Sequence, residues 1–215
     1  GMTRINVKLK ATEETDINGA GPEINSDALQ QLFSKLDQLK KGDYLVLAGS
    51  IPKSMPSDIY EKIMERLQNK GIMFVVDATK DLLLNVLKYK PFLIKPNNHE
   101  LGEMFGVQLK SDDEIVHYAE KLQEMGAENV VVSMAGDGAM LVDSNGAVTK
   151  IGVPKGKVVN SVGAGDSMVA GFIAGYTETG DYSYSLRLGS AAGSATAFSE
   201  GLATKEKIFE LINKF

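Results

Sequence analysis

The sequence has 215 residues, 43% hydrophobic and 24% charged, with a formal net charge of −5 at pH 7 and no cysteine. That composition suits one α/β domain with a sizeable core. The acidic balance argues against non-specific binding to nucleic acid or an anionic membrane. The lack of cysteine excludes disulfide and thiolate chemistry and fits a cytoplasmic protein. No apolar run reaches the about 18 residues of a membrane-spanning helix, and no secretory signal pattern opens the chain. Gly1 reads as a remnant of tag removal ahead of a start methionine.

Residues 3–10 alternate, with Ile5, Val7 and Leu9 apolar between Arg4, Asn6, Lys8 and Lys10. This period predicts a half-buried strand with one basic face, on which Arg4 and Lys8 read as solvated residues. Ala11 to Asn18 is expected to pair back on it, with Asn18-Gly19 and Gly21-Pro22 as turns. Ser26 is the expected N-cap of a helix whose apolar face is Leu29, Leu32, Phe33, Leu36 and Leu39. Tyr44 to Ala48 reads as a fully buried strand emptying into Gly49-Ser50-Ile51-Pro52, where Ser50 caps the turn. Two further helix–strand units follow. One runs from about Pro56 to a strand ending at Asp77, the other from Leu82–Leu87 to Phe92–Ile94. Helix 112–125 leads to strand Asn129 to Ser133. Ala139–Val142 and Val148–Val153 then form a hairpin around Asp143-Ser144-Asn145-Gly146. A helix through Met168, Phe172, Ile173 and Tyr176, a small-residue helix from Leu188 to Phe198 and a terminal helix capped by Thr204 complete the chain. Strands alternating with helices of this length imply right-handed crossovers and a parallel sheet. There is no repeat or interdomain linker, so 1–215 reads as a single domain.

The most informative stretch is Asn160-Ser161-Val162-Gly163-Ala164-Gly165-Asp166-Ser167-Met168-Val169-Ala170-Gly171. A Gly-rich turn feeds a helix whose unpaired N–H groups and dipole point back at it, which is an anion site. Two readings of Asp166 stand side by side. It is a dipole partner at the helix start, or a general base beside an anion hole of the Gly163–Gly165 amides. Similarly, in Lys95-Pro96-Asn97-Asn98-His99-Glu100 either asparagine can cap a helix, with Glu100 favourable to its dipole. His99 and His117 lie in no metal-ligand spacing and read as surface residues.

That glycine-rich string resembles the C-terminal signature of ribokinase-like (PfkB-type) carbohydrate kinases. So do Thr3-Arg4-Ile5-Asn6-Val7-Lys8, Ala48-Gly49-Ser50-Ile51-Pro52, Ile94-Lys95-Pro96-Asn97, Ser133-Met134-Ala135-Gly136-Asp137-Gly138-Ala139 and Ala191 to Phe198. The strings, in that order, look most like the branch that phosphorylates fructose 1-phosphate. The resemblance implies a three-layer α/β/α sandwich with a mostly parallel sheet. Residues 3–20 would supply a small β lid and 26–215 the nucleotide-binding core.

The resemblance also implies site roles. Asp166 would be the general base, with Gly163, Ala164 and Gly165 as the anion hole. Arg4 and Ser50 would bind the sugar phosphate. Ser133, Ala135, Gly138, Ser190 and Asn97 would lie on the nucleotide side, with Ala135 in place of the family's middle glycine. Glu100 would hold Mg²⁺ through water. The backbone around Asn160, Val162, Ser199 and Gly201 matches a monovalent-cation loop of some members. The expected reaction is ATP-dependent phosphorylation of the 6-hydroxyl of fructose 1-phosphate. Tagatose 6-phosphate and fructose 6-phosphate are alternative acceptors. Family members begin with a further segment carrying Gly-Gly-x-Gly-x-Asn, a motif missing from these 215 residues. The fold is therefore expected to be incomplete at its N-terminus. A nucleotide-binding fragment without activity is the rival reading, and exposed apolar faces would favour association as a homodimer.

Overall fold

The computed structural model describes residues 2–10 and 14–215; part of the expected return strand, Ala11 to Glu13, lies outside them. Strands β1 (Asn6–Lys10) and β2 (Glu14–Asn18) pair antiparallel with each other, Val7 opposite Ile17. The expectation of a half-buried strand fails here. Ile5, Val7, Leu9 and Ile17 are all exposed, because among the described residues this two-stranded sheet pairs with no other and no core cluster reaches it.

The main sheet has the order β3 (Tyr44–Ala48), β4 (Met73–Asp77), β5 (Leu93–Ile94), β6 (Asn129–Ser133), β7 (Ala139–Val142), β8 (Val148–Ile151). Strands β3 to β6 run parallel, and β7 and β8 add antiparallel at one edge. Side chains alternate faces along a strand, so consecutive apolar residues feed two cores. Phe74, Val76, Ile94, Val130 and Val132 face one way. They pack under α1 (Ser26–Leu36), α2 (Ile59–Leu67), α3 (Asp81–Leu84), α4 (Asn98–Phe105) and α5 (Asp112–Glu124). Val75, Leu93, Val131 and Leu141 face the other way, against α6 (Ala164–Thr179) and α7 (Tyr182–Ala197) through Val169, Phe172 and Leu186. Each fully buried side chain of this size contributes about 1.5–3 kcal/mol. Helix α8 (Lys205–Ile212) packs outside α7 through Leu211 and Ile212. This is the three-layer α/β/α sandwich with a mostly parallel sheet.

Three sequence expectations need correction. Strand β3 is an edge strand rather than a fully buried one. Among the described residues it pairs only with β4, and Val46 is 43% exposed on the face turned toward α6, across an open groove. Asn25, not Ser26, caps α1, its side chain accepting from the Ala28 N–H at 2.9 Å. The small-residue helix starts at Tyr182 behind an Asp181 cap, a turn and a half before Leu188.

The small residues bring α6 and α7 together. A Cβ on Gly171 would sit 2.8 Å from the Leu188 carbonyl, and one on Gly189 would sit 2.8 Å from the Met168 carbonyl. Backbones this close fix the start of α6 against α7. Among the described residues, no helix is long and apolar enough to cross a membrane.

Candidate active site

The site begins at the first turn of α6. Gly163 is the N-cap at φ +80°, a left-handed conformation that glycine adopts without penalty, and no side chain caps the helix. The Ala164 N–H donates to the Ser161 carbonyl at 3.2 Å, which removes it from the expected anion hole. Among the described residues nothing accepts from the N–H groups of Gly163, Gly165 or Asp166. Asp166 is exposed and sits in the helix's first turn without capping it. Ser167 and Thr196 share a 2.8 Å hydroxyl hydrogen bond that ties this turn to the end of α7.

Open parallel sheets bind ligands at their carboxyl ends, and here those ends converge on the same turn. Tyr60 of α2 holds the end of β3 by donating to the Ala48 carbonyl at 2.8 Å. In the loop beyond, Ser50 Oγ accepts from Arg4 Nη1 at 3.3 Å, so the hairpin and the β3 loop meet through two predicted sugar-phosphate residues. Strand β4 ends at Asp77. Lys95, immediately after β5, lies 3.2 Å from it, with the lysine 8% exposed.

Burial raises the Asp77 carboxyl above the ordinary Asp range, Lys95 pulls it part of the way back, and the charge of Asp166 raises it again. A carboxyl whose folded pKa exceeds its unfolded value stabilises the fold most below the unfolded value. That contribution is lost as pH rises through the folded value. Lys95→Met removes the counter-charge and pushes Asp77 higher still. In urea melts its stability deficit is expected to widen as pH rises from about 4 to about 8. A deficit independent of pH would contradict the pairing.

On the other side of the turn lies a cavity of about 910 Å³. It is bordered by Asn97, Ser133, Ala135, Gly138, Ala164, Gly165 and Ser190, all anticipated from the sequence. Asn97 pairs with Ser133 in a parallel bridge that extends the sheet past β5. Asn97 and Glu100 form a reciprocal capping box at the start of α4, each side chain taking the other's N–H at 2.8 Å. Asn97, not Asn98, is therefore the cap, and Glu100 does not border the cavity. Among the described residues nothing hydrogen-bonds the buried Ser190 Oγ, the condition of a hydroxyl that a ligand satisfies. Gly138 is obligatory, since a Cβ there would lie 1.9 Å from the Ile151 carbonyl. Ala135 has φ +48°, a conformation costing a non-glycine residue about 1–2 kcal/mol. Ala135→Gly is therefore expected to be neutral to stabilising by up to about 1 kcal/mol in urea denaturation. A loss of more than that would show that the methyl packs usefully.

A smaller groove of about 510 Å³ runs along the open edge of β3, between Tyr44, Val46 and Ala48 and the α6 residues Val169, Ala170 and Ile173. It ends at Asp77 and Asp166.

The profile of the pfkB family carbohydrate kinases matches residues 1–208. The chain belongs to this family. The 1-phosphofructokinase of Bacillus subtilis is 53% identical over 212 residues, covering 99% of this chain and 70% of that relative. The D-tagatose-1-phosphate kinase of Bacillus licheniformis is 39% identical, covering 97% of this chain and 68% of that relative. Among solved structures, Escherichia coli phosphofructokinase-2 in complex with substrates and products superposes with a TM-score of 0.89 at 28% identity. That match covers 98% of this chain and 69% of that one.

In this kinase the segments around Asn160 and residues 197–200 meet. Asn160 Nδ2 donates to the Glu200 carbonyl at 3.0 Å, and the Val162 N–H donates to Asn160 Oδ1 at 3.2 Å. Lys207 donates to the Phe198 carbonyl and Ser199 Oγ, so an ammonium already engages part of the expected cation loop. Sequence reasoning missed Asp77 and Lys95 as site residues. The available signal was a charged residue at the carboxyl end of each of two neighbouring buried strands.

Proposed function

We propose that the chain phosphorylates the 6-hydroxyl of fructose 1-phosphate with ATP, giving fructose 1,6-bisphosphate. One observation carries this reading. Gly165 and Asp166 are consecutive, yet Gly165 borders the large cavity and Asp166 borders the smaller groove. A donor nucleotide in the first and an acceptor in the second would meet at the start of α6. The free N–H groups of Gly163, Gly165 and Asp166 and the helix dipole would stabilise the charge on the transferred group. Asp166 would accept the hydroxyl proton, and positioning would supply most of the remaining rate. The unpartnered Ser190 hydroxyl supports nucleotide occupancy of the cavity. Glu100 uses one carboxylate oxygen in its capping box, leaving the other for a water of Mg²⁺, an ion that keeps most of its waters and binds phosphate oxygens. Bound there, Mg²⁺ would neutralise phosphate charge.

Arg4 and Ser50, already in contact, would hold the sugar phosphate, and the planar guanidinium suits phosphate. The hairpin would act as a lid, and its exposed Ile5, Val7, Leu9 and Ile17 support a homodimer, which sedimentation would check. A second reading, tagatose 1-phosphate as acceptor, is favoured by the B. licheniformis relative.

Kinetics on fructose 1-phosphate, tagatose 1-phosphate, tagatose 6-phosphate and fructose 6-phosphate test the acceptor. They are run on this chain and on this chain carrying the segment by which its relatives exceed it. Fructose 1-phosphate is expected to give the highest kcat/KM. Arg4→Ala is expected to raise the KM for sugar phosphate by about tenfold, against twofold or less for ATP. Best turnover on an unphosphorylated sugar would overturn the assignment.

A further inference from the structure

Where α6 and α7 touch, glycine leaves almost no side chain between them. A Cβ on Gly193 would come within 3.0 Å of the Ala164 carbonyl, at the very start of α6. Faces without side-chain ridges bring backbones close but do not lock one helix against sliding along the other. Among the described residues, two side-chain hydrogen bonds join these helices, one at each end. Tyr176 donates to the Tyr182 hydroxyl at 3.4 Å where α6 ends, and Ser167 pairs with Thr196 at 2.8 Å where it starts.

The second bond departs from what helical hydroxyls do elsewhere in this chain. Ser34, Thr177, Thr179 and Ser185 each donate to the carbonyl four residues back, the ordinary local outlet. Ser167 and Thr196 bond each other instead. Thr196 is 1% exposed, and its Oγ1 also accepts from the Ala203 N–H at 3.2 Å. One hydroxyl thus joins the first turn of α6, the last turn of α7 and the loop beyond it. The end of α7 is itself anchored. Its Ala197 carbonyl accepts from the N–H groups of Val159 and Asn160 at 2.8 and 3.1 Å, and Lys207 of α8 donates to the Phe198 carbonyl. Neither Ser167 nor Thr196 borders the nucleotide cavity or the acceptor groove, so any effect on the chemistry passes through position.

We propose that Thr196 is a positioning residue of this kinase, its hydroxyl holding the start of α6 in register with the nucleotide cavity through Ser167. The proposal rests on the kinase reading above and deepens it. Ser167 directly follows Asp166, and its own N–H donates to the Gly163 carbonyl at 2.9 Å. A shift of Ser167 therefore carries with it both the carboxylate and the free N–H groups of the phosphate turn. Misplacing such groups by about 1 Å can cost on the order of a hundredfold in rate. A hydroxyl pair holds its distance within a few tenths of an ångström, which the smooth glycine contact does not.

The test is calorimetry on the 215-residue chain with Mg²⁺ and three probes: AMP, ADP and a non-hydrolysable imido analogue of ATP. It compares the parent with Thr196→Val, Thr196→Ser and Ser167→Ala. Valine keeps the shape of threonine and loses the hydroxyl, whereas serine keeps the hydroxyl and loses the methyl group. Thr196→Val and Ser167→Ala are expected to lose about tenfold in affinity for ADP and the imido analogue, while AMP, which lacks their terminal phosphates, changes less than about twofold. Thr196→Ser is expected to stay within about threefold of the parent for all three probes. Should Thr196→Val fail to fold, Ser167→Ala, at a half-buried position, carries the test. Equal losses for AMP and ADP, no loss, or a larger loss in Thr196→Ser than in Thr196→Val would make the pair a packing contact. Each would overturn the proposal while leaving the nucleotide site standing. A parent chain that binds none of the three would overturn the kinase reading itself, and this proposal with it.

Discussion

Asp166→Asn is expected to lower phosphoryl transfer by about two orders of magnitude or more, while nucleotide affinity changes only a few-fold. Asparagine keeps the shape and hydrogen-bonding reach of the side chain but cannot take a proton. The structure makes the substitution informative because Asp166 caps nothing. Gly163 is the N-cap, and Asp166 is an exposed residue of the first turn whose carboxylate borders the acceptor groove. Its loss should therefore leave α6 intact. The rate is measured in the chain extended by the segment of its longer relatives, and the affinity by calorimetry with ADP. Equal losses in affinity and in rate would instead mean that the carboxylate organises the helix start or the nucleotide.

The 215-residue chain by itself is expected to bind ADP with Mg²⁺ yet turn over fructose 1-phosphate far more slowly than the B. subtilis 1-phosphofructokinase. The donor cavity, of about 910 Å³, is lined on both sides by loops and helices of the chain, whereas the acceptor groove, of about 510 Å³, lies at the edge strand. The groove at Asp166 runs out along the edge of β3, where Val46 is 43% exposed, and Arg4 and Ser50 stand in solvent. Holding an acceptor hydroxyl in line is worth on the order of 7–11 kcal/mol in well-oriented cases, and an open groove forgoes most of it. A coupled assay on material free of host kinase decides the matter. Turnover equal to that of the longer relative would mean that the described residues hold the acceptor unaided.

Much of the fold was legible in the sequence because its local signals and its burial agree. Asn129 to Ser133 and Ala139 to Val142 are apolar, short and bounded by turn residues, and the strands occupy those residues. Gly71 and Thr204 also act where helix-stop and cap chemistry places them. Tyr44 to Ala48 was misread because apolar content reports what a strand is suited to touch, not what lies beside it. Its neighbour on one side is β4, and on the other none of the described strands pairs with it. The start of α7 was missed because Tyr182-Ser183-Tyr184-Ser185 has no strong helix former, and only the Asp181 cap and close packing against α6 make it helical. Within the site, glycine-rich and hydroxyl-bearing loops announced themselves. Asp77 and Lys95 did not, since their pairing depends on two strands lying side by side, which no spacing in the chain encodes.

The central claim is that a nucleotide's phosphates rest on the free N–H groups at the start of α6. Its most direct test is an amide nitrogen–proton NMR titration of this chain with ADP and Mg²⁺. The account expects the largest shifts at the amides of Gly163, Gly165 and Asp166, with Ala135, Gly138 and Ser190 also moving and the β1–β2 hairpin still. Saturating binding with unmoved amides at 163–166 would contradict it.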